Sequence, residues 1–148
     1  MIGKKTWADK LAKAKGLPKK GKARGKKMVV PAPKDIDRLM KKPKKGKLIT
    51  VNMIMGRLAK KYKTQTCCPL TTGIFVWIAA NAAADELEAG RKTVTPFWRT
   101  LKSDGSLNPK YPGGEMAQAK RLIKEGHRLA RKGTKLVVQD FERKLQRI

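Results

Sequence analysis

The chain has 148 residues, with 37 Lys or Arg against 11 Asp or Glu and a formal net charge of +26. Such an imbalance argues against an ordinary neutral metabolic enzyme and makes a polyanion, most often nucleic acid, the expected partner. A hydrophobic fraction of 40%, with three Trp and three Phe, excludes a wholly disordered basic tail, and the length suits one folded domain.

The charge is concentrated at the start. Residues 1–47 hold 18 Lys or Arg against Asp9, Asp35 and Asp37, which places +15 in the first third of the chain. Met1-Ile2-Gly3-Lys4-Lys5 lacks the apolar stretch of a signal peptide, so a cytoplasmic location, on nucleoid or ribosome, is expected. Trp7 and Leu11 stand four apart and predict a short amphipathic helix. Residues 13–27 interleave Lys and Arg with Gly16, Pro18, Gly21 and Gly25 and offer few apolar side chains. That composition predicts a stretch that stays extended or disordered until an anion orders it. Residues 1–30 are therefore read as a basic, phosphate-binding extension of a domain spanning 31–148. A solubilising tail is the blander alternative.

Met28-Val29-Val30 reads as a short strand ended by Pro31 and Pro33. Residues 35–42 follow as a helix with Ile36, Leu39 and Met40 on one face, stopped by Pro43. The basic turn Lys44-Lys45-Gly46-Lys47 leads to Thr50, the predicted N-cap of a helix reaching about Tyr62. Ile54, Met55, Leu58 and Tyr62 share its apolar face. Residues 63–69 form a loop that holds Cys67 and Cys68. Neighbouring cysteines cannot easily meet disulfide geometry, and with the lone His127 they cannot complete a four-ligand zinc site, so no metal or cofactor is expected. Neither thiol has a His or acid nearby in sequence to activate it, and structural packing is the expected role. Thr71 or Thr72 is the predicted cap of a second helix reaching about Glu88, and the helix pair suggests a helix-turn-helix. Ile74-Phe75-Val76-Trp77-Ile78 is continuously apolar, so most of this helix is expected to be buried, leaving Thr71, Thr72 and Gly73 to touch a phosphate. The apolar run 73–84 is too short for a membrane span and contains Asn81.

Residues 93–101 read as an extended segment, and Ser103-Asp104-Gly105-Ser106 as a hairpin-type turn. Tyr111-Pro112-Gly113-Gly114 is a loop where backbone can approach a ligand closely. Residues 115–126 predict a helix with Met116, Ala119, Leu122 and Ile123 inward and Gly126 ending it. His127 beyond it reads as a solvated or capping residue. A strand at 135–138 and a short helix containing Phe141 and Leu145 close the chain. The expected architecture is mostly α with short strands, a monomeric winged-helix-like domain behind its basic extension.

Within residues 33–126, four segments in order resemble the C-terminal DNA-binding domain of the alkylguanine-DNA alkyltransferases. Pro43-Lys44-Lys45-Gly46-Lys47-Leu48-Ile49-Thr50 is similar to the family's I-P-x-G-x-V-x-[ST], with Gly46 and Thr50 matching. The segment from Thr71-Thr72-Gly73-Ile74 to Ala79-Ala80-Asn81 resembles its R-A-V-G-x-A-x-x-x-N-P in the small residues and Asn81. Thr95-Pro96-Phe97-Trp98-Arg99 stands where the family carries its active-site Pro-Cys-His-Arg. Ser103-Asp104-Gly105-Ser106-Leu107 with Tyr111-Pro112-Gly113-Gly114 resembles the loop that follows.

What the resemblance implies turns on its departures. The family's nucleophile is a Cys activated by the following His, and Phe97 and Trp98 can neither accept an alkyl group nor act as a base. The family's finger Arg, which fills the space of a flipped nucleotide, falls at Thr72, and its phosphate-rotating Tyr at Val51. The chain therefore looks like a divergent alkyltransferase-like protein, of the kind that binds alkylated DNA without repairing it. An active methyltransferase, which needs Cys at position 97, is disfavoured. The implied phosphate contacts are Lys44, Lys45, Lys47, Thr50, Thr71, Thr72, Gly73, Arg99 and Lys102. The implied base pocket is Val51, Phe97, Trp98, Tyr111, Pro112, Gly113 and Gly114, although residues such as Phe97 and Trp98 are more often core than base-stacking. Duplex DNA is the favoured partner, and a structured-RNA binder associated with ribosomes remains the alternative.

Overall fold

The computed structural model describes residues 6–13 and 15–148; residues 1–5 and 14 of the expected extension lie outside it. Thr6 opens α1 (Trp7–Ala12). Its hydroxyl accepts the Asp9 N–H while the Asp9 carboxylate accepts the Thr6 N–H, a reciprocal cap. The reading of residues 13–27 as extended or disordered needs correction. β1 (Lys19–Ala23) and β2 (Lys26–Val30) pair antiparallel around Arg24-Gly25, whose φ angles of 52° and 76° suit a two-residue hairpin loop. β2 also pairs in parallel with β4 (Thr66–Cys67), and Val29 is fully buried. Main-chain bonds to a distant segment hold the hairpin, and composition carries no signal for those.

α2 (Pro33–Met40) starts on a proline, where no N–H is needed, and the Asp35 carboxylate accepts the Ala32 N–H. Thr50 caps α3 (Val51–Lys61) as read, its Oγ1 accepting the Met53 N–H at 3.3 Å. β3 (Ile49–Thr50) pairs in parallel with β5 (Thr100–Leu101). The expected extended segment at 93–101 thus shrinks to two paired residues behind a 3-10 turn at Phe97–Arg99. α4 (Pro69–Glu88) begins earlier than read, with Cys68 in the cap position. It runs through the centre of the fold, where Ala79, Ala80, Ala82 and Ala83 let α1, α2 and α3 pack closely against it.

α5 (Gly114–Lys124) buries Gln118, Ala119 and Leu122. Met116 and Ile123, expected inward, are exposed. Gln118 decides this orientation: it accepts the Asn108 N–H and donates to the Trp98 carbonyl, which turns the buried face away from Met116. β6 (Leu129–Lys132) and β7 (Lys135–Val138) form a second hairpin. The 103–106 turn makes no hairpin of its own and docks on β7, Gly105 O accepting the Val138 N–H. Gly105 is required there, since its φ is 83° and a Cβ would collide with the ring of Phe141. Phe141 belongs to a closing 3-10 turn, Phe141–Lys144. His127, read as solvated or capping, is buried instead. The architecture is mostly α with short strands, and no helix of the described residues is long and apolar enough to cross a membrane.

Candidate nucleic-acid interface

The basic turn at 44–47 is positioned by residues far away in sequence. Gln146 accepts the Lys44 N–H at 2.9 Å and donates to the Lys42 carbonyl at 2.8 Å. Arg99 Nη1 donates to the Pro43 carbonyl at 2.9 Å, and Glu125 accepts the Gly46 N–H at 3.4 Å. Gly46 takes φ 84°, which glycine adopts without strain. With the main chain clamped, the side chains of Lys44, Lys45 and Lys47 stay exposed. Arg99, expected on a phosphate, belongs to the clamp instead, because its guanidinium is taken up by Glu125 and Pro43. Burial opposes the Glu125 charge, but the Arg99 guanidinium and the Trp98 indole N–H outweigh it and hold the carboxyl below its ordinary range.

The expected base pocket is closed. Phe97, Trp98 and Tyr111 are all buried, and Phe97 meets both other rings edge-on at 5.4 Å between centroids. Trp98 donates to Glu125 at 3.0 Å, with the Arg121 guanidinium 4.3 Å over its ring. Tyr111 donates to the Thr100 carbonyl at 3.0 Å, and burial pushes its phenol upward. Buried edge-to-face, with Arg121 over the indole, these rings offer no open face to a nucleobase. Thr50 is buried as a helix cap, and Val51 opens α3 half-buried. Pro112 and Phe97 border a depression of about 340 Å³ shared with Leu87 and Arg121. Gly113 and Gly114, at φ 80° and 72°, serve the start of α5.

A larger opening lies at the start of α4. A groove of about 770 Å³ is lined by Pro69, Leu70, Gly73, Ile74 and Trp77 from the helix and by Lys102, Asn108 and Lys110 from the loops after β5. Of the expected phosphate contacts, Gly73 and Lys102 come together here. Thr72 does not: it is fully buried, its hydroxyl donating to the Cys68 carbonyl at 2.8 Å and lying 3.4 Å from Cys67 Sγ. Thr71 is half-buried and donates to Cys68 Sγ at 3.1 Å. Burial raises the Cys68 thiol, but the Thr71 hydroxyl and the N–H groups of Thr71 and Leu70 outweigh it and bring the thiol below its ordinary range. Burial raises Cys67. The sequence reading missed Leu70, Trp77 and Lys110 as groove residues, though the spacing 70, 74, 77 is that of one helix face.

The fold resembles that of S. pombe Atl1. The match has a TM-score of 0.54 over 78% of this chain and 94% of that one, at 15% identity, to a crystal structure of Atl1 in complex with damaged DNA containing O6-carboxymethylguanine. No family model matches the chain, and the comparison with curated proteins gives no match. α4 departs from the family pattern, in which a proline follows the asparagine. Here Asn81 donates to the Trp77 carbonyl one turn back, and the helix continues to Glu88.

A third basic feature is the β1–β2 hairpin. Lys19, Lys20, Lys22, Arg24, Lys26 and Lys27 are carried on it, and no acid occurs between Asp9 and Asp35. Lys22 stands directly across from Lys27, a like-charge pair that costs stability unless an anion neutralises it. Gln65 ties the hairpin to the segment before α4, accepting the Lys27 N–H and donating its own N–H to the Lys27 carbonyl.

Proposed function

We propose that this protein binds duplex DNA carrying damaged bases and does no chemistry on it. The observation that carries the reading is the groove at the start of α4, edged by Lys102 and Lys110, in a fold similar to one solved on damaged DNA. Lys44, Lys45, Lys47 and the hairpin lysines supply sequence-independent phosphate contacts, with Thr71 and Gly73 beside the groove. The positions matched to an alkyl acceptor and its base are Phe97 and Trp98, both in the core, so no nucleophile stands there.

The test is anisotropy titration at one salt concentration against duplexes with and without O6-carboxymethylguanine, and against a structured RNA hairpin. Tighter binding to the damaged duplex is expected. Equal affinity for both duplexes would remove damage recognition, and preference for the hairpin would replace the DNA reading with the RNA one.

A further inference from the structure

Five large apolar side chains stand exposed among the described residues, and three of them, Leu70, Ile74 and Trp77, share one face of α4. Leu70 is the most exposed at 74%, Ile74 is 44% exposed and Trp77 38%. All three line the groove whose other wall carries Lys102 and Lys110. Apolar surface gathered in one concavity is held in water at a cost and favours an occupant. A second copy of this chain is a poor one, since it would set lysine against lysine with a charge of +26 on each partner. A polyanion that presents apolar surface between its charges is complementary, and stacked base pairs flanked by phosphates have that character. Helices and strands that insert Leu, Ile, Phe or Met between base steps unstack and kink the duplex.

We propose that Leu70, backed by Ile74, is a wedge that α4 inserts at a base step of duplex DNA while Lys102 and Lys110 hold flanking phosphates. This rests on the duplex-DNA reading above. The wedge is rigidly mounted. Pro69 occupies the first helical position behind the Cys68 cap, and the Cys68 N–H donates to the Val29 carbonyl at 2.9 Å. Thr72, the position the family resemblance gives to the finger residue, cannot insert because it is fully buried. Leu70 and Ile74, exposed at the groove, are hydrocarbon, so the insertion gains from desolvation and sacrifices no hydrogen bond.

The experiment uses the full chain and a duplex with 2-aminopurine at one position, read beside anisotropy on the same samples. Binding should brighten the probe several-fold as its stack opens, and Leu70→Ala with Ile74→Ala should lose most of that rise. Both residues are exposed, so the melting temperature of the variant should match the parent. The salt dependence of binding should also be unchanged, because every phosphate-facing lysine is kept. Binding without brightening, or brightening that survives both substitutions, overturns the wedge and leaves duplex binding standing. Failure to bind duplex at all overturns both readings. A concentration-dependent dimer that Leu70→Glu disperses would assign the groove to a second copy and overturn the wedge as well.

Discussion

Arg99 grips Glu125 with two nitrogens, Nε 2.9 Å from Oε1 and Nη2 2.7 Å from Oε2, and the Trp98 indole N–H completes the carboxylate at 3.0 Å. Both charged side chains are largely withdrawn from water, at 15% and 9% exposure. Removing one partner strands the other as a buried charge. Glu125→Ala should cost about 3–5 kcal/mol by that logic, measured by urea unfolding. It should also loosen the 43–47 turn, which Glu125 and Arg99 both bond. A loss below about 1 kcal/mol, the range of exposed pairs, would mean water reaches the pair in solution.

Trp98 gives a second prediction. As a core ring, Trp98→Ala should leave a cavity and cost about 3–5 kcal/mol. Binding to damaged and undamaged duplex should then fall together, in proportion to the fraction unfolded. A selective loss on damaged duplex with an unchanged melting point would restore the base pocket the structure closes.

The hairpin should act through charge alone. Lys19→Gln, Lys20→Gln and Lys22→Gln combined should lower the log–log salt slope of duplex binding by about 0.9 for each phosphate no longer neutralised. Thermal stability should hold or rise, since Lys22 no longer faces Lys27 across the strands. An unchanged slope in the triple variant would make the hairpin a bystander.

The two cysteines should differ in reactivity. Cys68 is half-buried with a thiol below its ordinary range, whereas Cys67 is buried with its thiol raised. Because the thiolate is the nucleophile, brief iodoacetamide treatment near neutral pH should label Cys68 first, as read by peptide mass spectrometry. Thr71→Val, which removes the hydroxyl on Cys68 Sγ, should slow that labelling. Equal labelling of both residues would count against the N-cap geometry.

His127 sets a pH dependence. It is buried, and among the described residues its Nε2 has no hydrogen-bond partner; burial lowers its pKa from 6.5, Glu125 opposes this, and Lys144 and Arg99 add to it. The unfolded chain therefore takes up a proton before the folded one does. Stability should be full above pH 6.5 and fall as pH drops through 6.5 toward the folded value. His127→Gln should flatten that part of the melting curve. The Glu125 contribution belongs to a lower window, beginning as pH falls through its unfolded value of about 4.5.

Local chemistry made several elements legible in the sequence alone. Thr50 as a cap, Gly105 in a tight turn and the apolar face Ile36, Leu39, Met40 each follow from one residue's own backbone or hydrogen-bonding preference, whereas Pro33, read as a breaker, opens α2 two residues before the expected start. The charge of +26 is likewise a matter of composition. Tertiary contacts decided the rest. Arg99 reads as a phosphate ligand until Glu125, 26 residues later, takes its guanidinium. Residues 19–27 read as formless until β1 pairs with β2, whose other edge is held by Thr66 and Cys67. Ile74 and Trp77 read as core, like Val76 and Ile78 beside them, because a run of large apolar residues gives no phase for the helix. The packing of α1, α2 and α3 around the alanines of α4 sets that phase; it turns Leu70 and Ile74 outward beside two lysines and lays the Trp77 ring edge-on to Trp7 of α1, 4.7 Å between centroids. Hydrophobicity fixes how much surface a segment seeks to bury, but only the neighbours that arrive from elsewhere in the chain fix which side is left uncovered.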